Sequence, residues 1–163
     1  MKDKILNDLK DILIKNNLKL SSGESCTGGL ISSYLTDING SSNFIEQNFV
    51  TYAPEAKHKF LNVKNDTIKK YSVVSKEVAL EMAEGLLKYA DVSVSTTGYA
   101  GPLGGDDKNP VGSVFIGLGL KKDGKILTDV IRYVSKSKTR CKIKEDFANT
   151  ALKELLSFLK KNV

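Results

Sequence analysis

Ser21-Ser22-Gly23-Glu24-Ser25-Cys26-Thr27-Gly28-Gly29 is the stretch that decides the fold. Apolar Leu18 and Leu20 lead into it, and Leu30, Ile31, Tyr34 and Leu35 follow at helical spacing, so it reads as a turn between a strand and a helix. Its glycines and small hydroxyl and thiol side chains let a ligand approach the main chain, and the unpaired N–H groups that open a helix favour an anion. Glycine-rich turns also join strands to helices for steric reasons alone. The stretch therefore marks an α/β chain and a candidate site without yet naming an activity.

On both sides of it, helix and strand alternate. Ile5, Leu6, Leu9, Ile12 and Leu13 lie on one face of a helix over residues 3–16. Beyond Gly40-Ser41-Ser42, Phe49-Val50-Thr51-Tyr52 reads as a short strand, and Pro54 suits the first position of the next helix. Ser75 caps a helix running to about Tyr89, with Ala79, Met82, Ala83, Leu86, Leu87 and Ala90 at helical spacing. Val92-Ser93-Val94-Ser95-Thr96-Thr97 alternates as a strand and ends at a second glycine-rich loop, Gly98 to Gly105. Val111–Leu120 and Ile126–Val134 form a hairpin about Asp123-Gly124. A last helix over 139–161 buries Ile143, Phe147, Ala151, Leu155 and Phe158. The pattern predicts a three-layer α/β/α sandwich with a mixed, mostly parallel sheet, since a late hairpin argues against an all-parallel one.

Size and composition bound the function. With 163 residues, residues 1–163 read as a single domain, and 40% hydrophobic with 27% charged is a soluble composition. No stretch is apolar enough to span a membrane, and charges throughout residues 1–16 leave no apolar core for a secretory signal, so a cytoplasmic location and no membrane partner are expected. Two cysteines and one histidine are too few for a disulfide framework or a zinc site, so no metal is expected. The charge of +6 is concentrated at Lys136, Lys138, Arg140, Lys142 and Lys144, without an intervening acid, where the last helix begins. Cations oppose the macrodipole there, so the run is locally unfavourable unless an anion docks against it. A lysine-rich solvated surface is the plain alternative.

Ligands of such sheets bind at loops leaving the carboxyl ends of strands. The loops 21–29, 52–58 and 97–105 follow strands and together would form one pocket. Ser25 and Cys26 are both candidate nucleophiles, and either needs a base. His58 is the only histidine and Lys57 its neighbour on one helix, so the two do not face one small pocket together. A histidine triad and a serine–lysine pair both stay open. The lysine version requires an amine neutral near pH 7, lowered by burial.

Glu24-Ser25-Cys26-Thr27-Gly28-Gly29, Gly40-Ser41-Ser42, Val50-Thr51-Tyr52, Ala56-Lys57, Val74-Ser75, Thr97-Gly98-Tyr99-Ala100-Gly101-Pro102 and Pro110-Val111-Gly112 recur in an order that resembles the CinA C-terminal domain family. Its characterised enzymes are nicotinamide mononucleotide amidohydrolases, which convert that nucleotide to nicotinic acid mononucleotide and ammonia. The resemblance implies Ser25 as nucleophile and Lys57 as base, with Cys26 as small packing and no cofactor. Glu24 would orient the turn or cap its helix, among the substrate-contacting residues. The ribose phosphate would sit on the N–H groups of Thr27, Gly28 and Gly29, or against Arg140 and Lys144. Arg140 is favoured because a guanidinium holds phosphate bidentately. Thr97, Gly98, Ala100 and Gly101 would line the nucleoside, and Tyr52 would stack on a flat ring or pack.

The resemblance also implies a homo-oligomer, and a stand-alone form, since the longer amino-terminal domain of many relatives is missing from this sequence. Three departures stand out. Ala53 and Pro54 replace a small polar residue and an asparagine, Lys144 stands where arginine is expected, and the loop Leu103 to Asn109 is acidic with an added lysine. They bear on rate and substrate, and keep alive a nucleotide-binding module without hydrolysis. A DNA-associated competence role ranks third, because the basic run has few interleaved aromatics.

Overall fold

The computed structural model describes residues 2–163. Its elements, in order, are α1 (Lys2–Lys15), β1 (Leu20–Glu24), α2 (Leu30–Thr36), a 3-10 turn (Ser41–Asn43), β2 (Ile45–Val50), α3 (Pro54–Leu61), α4 (Asn65–Tyr71), α5 (Lys76–Leu86), β3 (Val92–Gly98), β4 (Ser113–Lys122), β5 (Lys125–Val134) and α6 (Arg140–Asn162). The five strands form one sheet in the order β2-β1-β3-β4-β5. β1 pairs in parallel with β2 and β3, whereas β3–β4 and β4–β5 are antiparallel, so four of five strands run the same way. The expected mixed sandwich is the observed one.

One layer is α1, α2 and α6. Their Leu9, Leu13, Ile31, Leu35, Phe147 and Leu155 meet Leu20, Val92, Val94, Val114 and Ile116 of the sheet in the main core. Each such side chain contributes about 1.5–3 kcal/mol by leaving water. The other layer is α3, α4 and α5, with Leu61, Val78, Met82 and Leu86 in a smaller core. Both faces of the sheet are buried, which explains the Ser/Val alternation of β3. Ser93 Oγ donates to Ala83 O at 2.8 Å and Ser95 Oγ to Ala79 O at 2.6 Å, so the polar face is satisfied by α5 rather than by solvent. Opposite them Gly117 admits α5 closely: a Cβ there would stand 2.2 Å from Ala79 O.

Several boundaries differ from expectation. β1 runs through Ser21–Glu24, so the turn is only Ser25–Gly29. The second strand is Ile45–Val50, and Thr51-Tyr52 already belong to the loop. The helix capped by Ser75 stops at Leu86, and α4 was not anticipated. Among the described residues no helix is long and apolar enough to cross a membrane.

Candidate active site

Because β1, β2 and β3 are parallel neighbours, their carboxyl ends Glu24, Val50 and Gly98 lie along one edge of the sheet, where the chain also leaves β5 towards α6. Loops 25–29 and 51–53, the loop after Gly98 and the amino end of α6 meet there.

The two residues at its centre are Ser25 and Lys57. Pro54 opens α3, and one turn later Lys57 points inward, fully buried, a costly place for an ammonium without a carboxylate partner. Its Nζ lies 3.0 Å from Ser25 Oγ, 2.6 Å from Thr51 O and 3.2 Å from Tyr52 O. Burial lowers its pKa from 10.5 to about 8, opposed only by the nearby Cys26. A neutral amine has two N–H donors and one lone pair. The two carbonyls take the N–H groups, which aims the lone pair at the serine hydroxyl. The lysine alternative is thus assembled, whereas His58 is exposed, with Nδ1 2.8 Å from Val63 O at the end of α3. Cys26 is buried and its thiol pushed up to about 12, chiefly by burial, so it carries little thiolate.

The turn itself depends on two glycines. Gly28 (φ +61°) and Gly29 (φ +98°) hold left-handed conformations that other residues adopt only under strain. They bring the chain round so that Glu24, fully buried, receives Thr27 Oγ1, Gly29 N and Ile31 N on one oxygen and Ser32 N and Oγ on the other. The anion that this turn favours is therefore an internal carboxylate. The carboxylate thus orients the turn and accepts N–H groups at the start of α2. Of the N–H groups expected to hold a phosphate, Gly29 N is therefore engaged within the fold. Gly28 N donates to Ser25 O and Leu30 N to Thr27 O. The N–H groups of Ser25, Cys26 and Thr27 donate to no acceptor among the described residues.

Several other residues expected at the ligand have side-chain partners or packing within the fold. Thr27 is buried, its hydroxyl between Glu24 and Thr96 Oγ1 (2.9 Å). Thr97 faces the opposite layer and donates to Val73 O. Gly98 is glycine because a Cβ would stand 2.4 Å from Ser113 O, and Ala100 packs in the main core. Missed from the sequence were Thr96, which supports Thr27 from beneath, and the carbonyls of Thr51 and Tyr52. The doubled Thr96-Thr97 at a strand end was the one available signal for the first, and carbonyl direction leaves none.

Arg140, Tyr52, Gly101 and Lys144 are brought together. Arg140, exposed at the start of α6, donates through NH1 to Gly101 O and through NH2 to Tyr52 OH at 3.1 Å. One turn on, Lys144 reaches over the nucleophile turn: a Cβ on Gly28 would lie 3.2 Å from its Nζ. Neither cation has a carboxylate partner among the described residues. No cluster of histidine, cysteine and acidic side chains suited to a metal occurs there. The edge therefore combines a serine, a desolvated amine, three free N–H groups and two unpaired cations, a set whose chemistry suits acyl transfer from an anionic substrate.

Residues 2–159 match the family model described as CinA C-terminal domain. A CinA-like protein of Chlorobium limicola is 42% identical over 157 residues, 93% of this chain but 36% of that protein. A putative competence-damage inducible protein of Caldicellulosiruptor saccharolyticus is 48% identical over 113 residues, 68% of this chain and 28% of the relative. The chain thus spans about a third of the length of such curated relatives. Solved structures match over nearly their whole length. The competence damage-inducible protein A of Klebsiella pneumoniae superposes with a TM-score of 0.91 at 28% identity, covering 99% of both chains. A competence/damage inducible protein of Agrobacterium tumefaciens does so at 0.86 and 35%, covering 98% of this chain and 95% of that one. On these matches, this chain belongs to the CinA C-terminal domain family.

Proposed function

We propose that this protein is a nicotinamide-nucleotide amidohydrolase acting through Ser25 and Lys57. The observation that carries the reading is the 3.0 Å approach of a buried, desolvated Lys57 amine to the Ser25 hydroxyl. Ser25 Oγ attacks the carboxamide carbon of nicotinamide mononucleotide, made electrophilic by its cationic ring, while Lys57 Nζ takes the hydroxyl proton. The tetrahedral oxyanion forms beside the Cys26 and Thr27 N–H groups, where each donor is worth about 3–4 kcal/mol in comparable hydrolases. Lys57 returns the proton to the leaving nitrogen, the C–N bond breaks, and ammonia departs. Lys57 then deprotonates water, which attacks the nicotinoyl ester of Ser25; the C–Oγ bond breaks, Lys57 returns the proton to Ser25 Oγ, and nicotinic acid mononucleotide is released. No metal or cofactor enters these steps.

In this reading Lys144 and Arg140 hold the ribose phosphate, and Tyr52, tied to Arg140, one side of the nucleotide. The test is ammonia release from nicotinamide mononucleotide by the purified chain beside Ser25→Ala, Lys57→Ala and Cys26→Ala. Loss of at least 10³-fold in the first two, with Cys26→Ala within a few-fold of the parent, is the expected result. A parent that binds the nucleotide and releases no ammonia is a binding-only relative instead.

A further inference from the structure

Glu24 is buried beside the proposed nucleophile and has no part in the steps above. A buried carboxylate is costly unless its lone pairs are satisfied, and here no cation pairs with it among the described residues. Five donors do the work instead. Oε1 accepts Ser32 N at 2.8 Å and Ser32 Oγ at 2.6 Å; Oε2 accepts Thr27 Oγ1 at 2.7 Å, Gly29 N at 2.9 Å and Ile31 N at 3.1 Å. The network extends from Ser32 to Ser22 Oγ (3.1 Å) and from Thr27 to Thr96 Oγ1 (2.9 Å), fastening the turn to β1 and β3.

Two consequences meet at Ser25. The carboxylate engages the N–H groups of Gly29, Ile31 and Ser32, so the unengaged donors of the turn are those of Ser25, Cys26 and Thr27. The main chain of Glu24 also reaches the base. Its carbonyl accepts Thr51 N at 2.8 Å, Thr51 O accepts Lys57 Nζ at 2.6 Å, and that Nζ lies 3.0 Å from Ser25 Oγ, the next residue in the chain. Nucleophile and base are thus two points on one closed ring that passes through Glu24.

We infer that Glu24 is a positioning residue: its carboxylate fixes where Ser25 Oγ and the free N–H groups of the turn stand, without touching substrate. The inference rests on the Ser25–Lys57 reading. Glu24→Gln keeps the size and puts an amide N–H₂ against groups that are themselves donors, so the turn has to shift. Ser32→Ala removes one donor at a site remote from the substrate, and Ser32→Thr restores it.

The experiment measures labelling of Ser25 by a fluorophosphonate, in which the serine oxygen bonds phosphorus and fluoride leaves. It is run beside kcat and KM for nicotinamide mononucleotide and far-ultraviolet circular dichroism. Folded Glu24→Gln is expected to label at least tenfold more slowly, with kcat falling in step and KM within twofold. Ser32→Ala falls less, and Ser32→Thr recovers most of the loss. Folded Glu24→Gln labelling at the parent rate overturns the inference. Where Glu24→Gln does not fold, equal labelling of Ser32→Ala and Ser32→Thr overturns it. A parent that neither labels nor releases ammonia overturns the Ser25–Lys57 reading and this role with it. A parent that labels without releasing ammonia overturns only the substrate, and the labelling comparison still decides Glu24.

Discussion

Lys57 Nζ stands 3.0 Å from Ser25 Oγ at the bottom of a fully buried side chain that meets no carboxylate. Lysines at such positions are commonly paired, because an isolated buried ammonium is expensive. Here the compensation is partial: two main-chain carbonyls accept its N–H groups, and burial still lowers its pKa to about 8. The same lack of a counter-ion that weakens the fold at neutral pH supplies a base able to take a serine proton.

The pH dependence follows directly. With its pKa at about 8, Lys57 is mostly protonated at pH 6 and mostly neutral at pH 9. The value of kcat/KM is expected to rise about tenfold per pH unit below 8 and to level off above it. A profile that stays flat from pH 6 to 9 removes Lys57 from the role of base.

Stability carries the same group with a definite sign. In the unfolded chain the amine titrates near 10.5 and in the folded one near 8, so between these values only the unfolded state holds the proton and stability rises with pH. At about 1.4 kcal/mol for each tenfold change in proton affinity, the parent gains about 3 kcal/mol between pH 8 and 10.5. Lys57→Met has no proton to lose at this position. Urea titrations of both proteins at pH 7.5 and 10.5 should show the parent's stability rising relative to the variant, and parallel curves would count against a lowered pKa.

What the sequence disclosed depended on whether burial leaves a periodic trace. The stripe of α6, the turn at Asp123-Gly124 and the glycine-rich turn after β1 were legible because packing and positive φ select residue types. β2 was displaced by several residues because, as an edge strand, it carries exposed Glu46 and Gln47, and its Asn48 is spent on accepting Ser22 N. α4 buries none of its residues and so had no stripe to read. Within the site, Ser25 and Lys57 were named by resemblance, but the burial of Lys57 is tertiary and has no local signature. Thr97 was placed in the site and Thr96 omitted because adjacent strand residues point to opposite faces, and which face meets the turn is settled by sheet packing.

Ala53 occupies the N-cap of α3 in an extended conformation (φ −78°, ψ 151°) and offers no side-chain acceptor to the helix. Serine fits that backbone and would accept one of the first N–H groups. Ala53→Ser is expected to stabilise the protein by about 1 kcal/mol, read as a melting temperature about 2–4 °C higher in a thermal scan. No increase would show that the helix start, with Pro54 in place, is already satisfied by water.

Lys144 and Arg140 have different duties although both are cations at the start of α6. Lys144 reaches over Gly28 with no acidic partner among the described residues, free to meet an anion. Arg140 already spans Gly101 O and Tyr52 OH, so it also braces two loops. A charge-assisted contact to phosphate is worth about 1.5–3 kcal/mol. Lys144→Met is therefore expected to raise KM for nicotinamide mononucleotide about 10- to 100-fold with kcat nearly unchanged, and to leave turnover of the phosphate-free riboside as it was. Arg140→Met should lower kcat as well, for both substrates, because the Tyr52 and Gly101 loops lose their tie. Equal losses on nucleotide and riboside in Lys144→Met would move the phosphate elsewhere and leave Lys144 a general attractor of anions, whose effect fades with salt.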